Sequence, residues 1–164
     1  SFNAAPVNVI GCVPLVVEEN VTIDRIGLQV LSVSGMTGTY TYEMALFAGT
    51  ETGPTTLISN YGTVAVSSGT TPGTQSITIS ESLTANTIYW LVYGQTQTGG
   101  VGPMLYQNPG VSYPFLQRTN FGILGNTGSL VTTFTSGVVP ATDFTGVPLG
   151  VTGASPRLHV RRAS

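Results

Sequence analysis

The sequence contains no lysine, and its five basic residues are all arginine. Charged side chains make up 7% of the 164 residues, against about 25% in an average soluble protein. The net charge is −2, so no nucleic-acid partner held by phosphate contacts is expected. A single cysteine, Cys12, excludes an internal disulfide. Flanked by Val13, Leu15 and Val16, it reads as a small buried hydrophobe rather than a reactive thiol. With one histidine and one cysteine, a zinc site built from those residue types is excluded by count. The seven carboxylates are scattered, with no run resembling a calcium loop. No metal and no cofactor is therefore expected. No apolar run reaches about 18 residues, so no membrane span is expected. The opening SFNAAPVNV has no charged n-region and reads as no signal peptide. Without an initiator Met, the chain reads as a fragment or a processed product.

What the sequence does have is apolar and hydroxyl-rich. It is 41% hydrophobic with 21 Gly and 10 Pro, enough for a sizeable core in one domain over residues 1–164. Residues 1–6 read as an N-terminal arm or a connection to a shaft, and residues 137–164 as an extended C-terminal segment ending in a strand. The polar surface falls to Ser, Thr, Asn and Gln. Thr suits a pleated, half-wet surface. Such weakly charged surfaces fit multimeric shells and fibres, where neighbours cover much of them.

The stretch QSITISESLTANTIYWLVYGQTQ, residues 75–97, organises the rest. Ile77 and Ile79 alternate with Ser76, Thr78 and Ser80, the period of a strand with one buried face. Residues 82–86 supply turn chemistry, so residues 75–97 read as two strands joined in a hairpin. Ile88 to Tyr93 are apolar on both faces, which predicts a central strand, and include the only Trp, Trp90. Residues 7–17 predict an edge strand broken by Pro14, and residues 21–34 a long strand. Ile26, Leu28 and Val30 share one parity while Val21 and Ile23 have the other, so a bulge is expected near Asp24-Arg25. In residues 39–48, Tyr40, Tyr42, Met44 and Leu46 alternate with Thr39, Thr41, Glu43 and Ala45. Loops are predicted at 49–56, 67–74 and 95–114, and strands at 57–66, 115–124, 129–135 and 157–162. No helical spacing persists over ten residues. Short strands with turns every 8–12 residues predict an all-β fold, an antiparallel β-sandwich of jelly-roll type with long Gly/Pro-rich loops.

The chemistry of a catalytic site is missing. No serine sits in a Gly-x-Ser-x-Gly elbow, and no carboxylate pair stands out for glycoside hydrolysis. His159 lies in Arg157-Leu158-His159-Val160-Arg161, where strand parity puts Arg157, His159 and Arg161 on one face. That face reads first as solvated or interfacial, and second as an anion site. Asn20-Val21-Thr22 matches a glycosylation sequon, a short and weak pattern. The strongest binding candidate is the loop at 95–113, which carries Gln95, Gln97, Tyr106, Gln107, Asn108 and Tyr113. Amide side chains offer paired donors and acceptors, and aromatic faces stack on sugar C–H surfaces. Receptor-binding residues tend to sit on such loops over a rigid sandwich; the plainer reading of the same loop is a subunit contact or a covering flap.

Several segments together resemble a β-sandwich module of tailed-bacteriophage tail-fibre and virion surface proteins. They are Thr22-Ile23-Asp24-Arg25-Ile26-Gly27-Leu28-Gln29-Val30, Ala45-Leu46-Phe47, Gly62-Thr63-Val64, Gln75-Ser76-Ile77-Thr78-Ile79-Ser80, Leu83 and Tyr89-Trp90-Leu91. Pro156-Arg157-Leu158-His159-Val160-Arg161-Arg162 resembles the closing apolar strand with two arginines. The resemblance covers residues 7–93 and the last ten, and is weak over 94–155. It implies a non-enzymatic virion protein on the tail or capsid surface, a homotrimer near the distal end of a fibre. Its implied partners are other virion proteins and host-surface polysaccharide. The alternatives are a capsid decoration or tail-assembly protein without receptor contact, and a monomeric carbohydrate-binding module. It also implies a local Asp24–Arg25 ion pair at the bulge and a core role for Trp90.

Overall fold

The computed structural model describes residues 9–51, 53–98, 100–109, 129–133, 144, 150–152, 154–156 and 158–163. The expected strand at 115–124 and the arm at 1–6 lie outside them. The described residues form β1 (Val9–Val17), β2 (Val21–Ser32), β3 (Thr39–Thr50), β4 (Gly53–Ser67), β5 (Gly73–Leu83), β6 (Thr87–Gln97), β7 (Met104–Leu105), β8 (Gln107–Pro109), β9 (Ser129–Thr133), β10 (Gly150–Thr152), β11 (Ala154–Pro156) and β12 (Leu158–Arg162). They pair antiparallel in a larger sheet, β10-β9-β1-β6-β3-β4, and a smaller one, β12-β2-β5, with β7 also on β2. The short pair β11-β8 stands apart. The fold is an all-β, antiparallel β-sandwich.

Period-two patterning builds the space between the sheets. The smaller sheet contributes Ile23, Ile26, Leu28, Val30 and Leu158, and the larger one Tyr40, Tyr42, Met44, Leu46, Leu91 and Tyr93. β6 lies between β1 and β3, as its doubly apolar sequence predicts. Its Tyr89, Leu91 and Tyr93 face the smaller sheet. Its Trp90 and Val92 face a second cluster with Ile10, Cys12, Phe47 and Phe144. There the Trp90 indole N–H donates to the Thr50 carbonyl at 3.0 Å, and Phe144 meets Phe47 edge-on, ring centroids 5.0 Å apart. Cys12 is buried, and burial pushes its thiol up, so it stays protonated and unreactive.

The expected bulge is present. Between Ile23 and Arg25, β2 advances two residues while β12 advances one, from Arg162 to Arg161. The extra residue, Asp24, shifts the phase so that Ile23 and Ile26 both reach the core despite opposite parity.

Four expectations change. Residues 75–97 do not make a hairpin: β5 pairs with β2 and β6 with β1 and β3, so the turn between them crosses from one sheet to the other. Asn86 turns that corner at φ 57° and donates its N–H to the Val17 carbonyl at 2.8 Å; asparagine is among the few residues that accept this conformation. β1 is an edge strand only in part: β9 covers Val9–Cys12, while Val13–Val17 pair with β6 alone among the described residues. Pro14 lies beyond that pairing, where its missing N–H is tolerated. The loop at 49–56 is mostly strand: β3 and β4 run to Thr50 and from Gly53. Three register shifts place Thr55, Ile58 and Tyr61 as extra residues on β4, the edge of the larger sheet. Bulges of this kind keep an edge from pairing with another chain. Finally, the loop at 95–114 is part strand. Gln95–Gln97 end β6, and residues 104–105 and 107–109 form β7 and β8.

Tyr42 is fully buried, and its hydroxyl has no hydrogen-bond partner among the described residues. Burial, with a contribution from Tyr40, pushes the phenol up, so it stays neutral. A desolvated donor left unmatched costs stability. Tyr42→Phe is expected to raise unfolding free energy by about 1 kcal/mol, read as a higher denaturant midpoint. A lower midpoint would show that the hydroxyl does find a partner.

Candidate functional site

Register and parity gather an unusual set of side chains on the outer face of the smaller sheet. In β2, Ile26, Leu28 and Val30 point inward, so Arg25, Gly27 and Gln29 point outward. β12 packs Leu158 and Val160 against the core, which turns His159 and Arg161 outward. Directly opposed residues share a face, so the outer rows follow from the ladders. His159, Gly27 and Ser76 form one row, and Arg161, Arg25 and Thr78 the next. β7 continues along the β2 edge that β12 occupies, with Leu105 opposite Val30. Leu105 is buried in the core, so the following residue, Tyr106, turns outward beside Gln29. Its N–H donates to the Gln29 carbonyl at 2.9 Å. Tyr106 is 40% exposed.

Gly27 is the low centre of this face. A Cβ there would lie 2.2 Å from the Gln75 carbonyl oxygen, so β2 and β5 approach too closely for any other residue.

The ion pair expected within Asp24-Arg25 forms elsewhere. The Arg161 guanidinium grips Asp24 in a two-point fork, Nε to Oδ1 at 2.8 Å and Nη2 to Oδ2 at 2.6 Å. The bulge is what carries the Asp24 carboxylate to the neighbouring strand. Arg162 similarly donates to Glu19. The hydrogen bond from Arg161 holds Asp24 below the usual carboxylate range, outweighing desolvation, and Arg25 adds a weaker attraction. Because the folded state favours the ionised form, the link is present above the unfolded Asp value of about 4 and is lost as pH falls through the lower folded value. Asp24→Asn is therefore expected to destabilise the protein at pH 7 and to match the parent protein once the parent's carboxyl is protonated. Urea melts of both proteins across that range check it. Equal stability at pH 7 would remove the fork from the account of β12.

His159 lies half-buried between the Arg and Tyr rows. Its Nε2 is buried with no hydrogen-bond partner among the described residues, and burial holds the imidazole below its ordinary value.

The residues proposed from the sequence separate. Gln95 is fully buried. It stands opposite Tyr42 on the inward face of β6, so it has no surface to offer a receptor. Gln97, opposite Tyr40, is partly buried in the same row. Gln107 and Asn108 are in β8, whose backbone pairs with Pro156 and Ser155. Tyr113 and Arg157 lie outside the described residues. Among the described side chains of that set, only Tyr106 reaches the outer face, beside Gln29 and on the same face as Arg25 and His159. The parity of Arg157, His159 and Arg161 had pointed to that face, but Gln29 and Gly27 were invisible to sequence reasoning as members of it.

The segment after β6 is held to the body of the fold. Thr37 accepts from the Val101 N–H through Oγ1 at 3.0 Å and donates its own N–H to the Val101 carbonyl at 3.0 Å. Thr98 and Thr39 make a similar reciprocal pair. Tyr106 is thereby presented from a braced segment.

A groove of about 340 Å³ at the opposite corner is lined by Asn20, Val21, Thr22, Ser82, Leu83 and Thr84. The Asn20 carboxamide accepts the Ala85 N–H at 2.8 Å, so the sequon asparagine braces the sheet-to-sheet turn. Among the described residues, no helix is long and apolar enough to cross a membrane, and no three His, Cys, Asp or Glu residues group as metal ligands. No family model, curated protein or solved structure matches this chain.

Proposed function

We propose that this chain is a non-enzymatic module of a virion surface, a tail- or head-fibre domain that binds host-surface polysaccharide through the outer face of its smaller sheet. One observation carries the binding part. Tyr106, Gln29, His159 and two arginines share one sheet face around a glycine that leaves its centre low. Aromatic faces stack on sugar C–H surfaces, while amides and guanidinium groups read hydroxyls. A sheet presents them without the ordering cost of a flexible loop. The virion part is supported by the sequence resemblance and by a surface that carries few charges. Self-association into a trimer would multiply weak single sites into useful avidity.

The test is binding of the full chain to purified host-envelope polysaccharide, with mass by light scattering in parallel. Tyr106→Ala is expected to weaken binding roughly tenfold, equivalent to about 1.4 kcal/mol. Mass should stay unchanged, because the backbone bond to Gln29 survives. Binding to purified capsids with none to polysaccharide would instead indicate a decoration protein, and undiminished binding by Tyr106→Ala would remove this face from the site.

A further inference from the structure

We propose that this face selects anionic polysaccharide, with Arg25 as the residue that reads the acid group. The inference rests on the polysaccharide-binding reading above and narrows its ligand class.

Its first support is where this chain spends its few positive charges. There are five arginines and no lysine in 164 residues. The three whose side chains are described, Arg25, Arg161 and Arg162, all lie on β2 and β12, as does the single histidine. Register sets Arg161 directly opposite Arg25. Like charges facing across a ladder are destabilising, so this placement needs compensation or a purpose. Compensation is only half supplied. Asp24 gives both carboxylate oxygens to Arg161, and Arg162 goes to Glu19. Arg25, partly exposed on the same face, forms no salt bridge among the described residues; it feels only a weaker attraction from Asp24.

The second support is the shape of the face. An arginine fork fits a carboxylate or phosphate in two-point fashion. From Gln29, beside Tyr106, to Arg25 is four residues of β2, about 14 Å at 3.4 Å each. A short oligosaccharide lying along β2 would set a ring on Tyr106, pass over Gly27, and bring an acid group to Arg25. Its negative charge would also relieve the repulsion between Arg25 and Arg161. Ser76 and Thr78 line the β5 side with hydroxyls.

The experiment uses the full chain and three purified polymers at low salt: a neutral glucan, a uronic-acid polymer and a phosphodiester-linked polymer. At least one acidic polymer is expected to bind roughly tenfold or more tightly than the glucan, the scale of one charge-assisted contact. Arg25→Gln is expected to bring the acidic-to-neutral ratio close to one. Arg25→Lys should recover the preference only in part, because a point charge cannot make the fork. Far-ultraviolet circular dichroism melts confirm that each variant folds. The uronic-acid and phosphodiester arms distinguish carboxylate from phosphate as the group recognised. Equal binding of neutral and acidic polymers, or an Arg25→Gln variant that keeps the preference, overturns the inference and leaves the polysaccharide reading standing. No binding to any polymer overturns both.

Discussion

Trp90→Ala is expected to lower the free energy of unfolding by roughly 3–5 kcal/mol. Trp90 is fully buried, and it stands in β6, paired on one side with Pro14 of β1 and on the other with Phe47 of β3. Truncation removes the largest side chain of the outer cluster and leaves a void among Phe47, Cys12 and Val92. It also leaves the Thr50 carbonyl without its indole donor. The two losses add, since the void cannot be refilled by strands locked in their ladders. Domains are stable by only about 5–15 kcal/mol, so this variant should be close to unfolding at ordinary temperature. Urea denaturation followed by circular dichroism is the check, because the only tryptophan fluorophore goes with the mutation. Trp90→Phe should recover much of the loss and keep the cost of the missing N–H bond and of the smaller ring. A small effect of Trp90→Ala would mean that the outer cluster contributes little and that the space between the sheets alone sustains the fold.

Gly27→Ala is the second large effect, expected at roughly 1–3 kcal/mol. The added methyl would sit 2.2 Å from the Gln75 carbonyl oxygen and 2.8 Å from the Ser76 Cα. Those are backbone atoms, so no rotamer change relieves the clash, and β2 and β5 must move apart. Gly11 makes the useful comparison. A Cβ there would meet the Tyr93 ring at 2.2 Å, which is as close, but a side chain has torsions through which to give way. Gly27→Ala should therefore also disturb the row of His159 and Ser76 and weaken polysaccharide binding. Gly11→Ala, acting on the space between the sheets, should alter stability while sparing the outer face. Melting curves and binding for both variants separate the cases. Full stability in Gly27→Ala would contradict the close strand approach.

Much of the scaffold was legible because β structure writes itself into local parity. The double apolar pattern of Ile88 to Tyr93 marked a strand covered on both faces. The alternation from Tyr40 to Leu46 marked a strand with one face inward, and the parity break between Ile23 and Ile26 marked a bulge. Each of these needs only a few consecutive side chains. The candidate site was less legible. Gln95 reads like a recognition residue and lies fully buried, because β6 continues beyond its apolar run. Tyr106 lay in the segment singled out from the sequence, but the residues that share its face come from β2 and from a strand more than fifty residues away.

The sequence by itself determined the all-β class, the central position of β6, the bulge at Asp24 and the burial of Cys12 and Trp90. All of these follow from the two-residue period of a strand and from the transfer of apolar side chains out of water. Only the tertiary structure decided that β5 and β6 part into different sheets, that Asp24 pairs with Arg161 rather than Arg25, and that Tyr106, Gly27, Arg25 and His159 share one face. Strand order and register depend on the sum of contacts between segments far apart in the chain, so no local stretch of sequence carries that information.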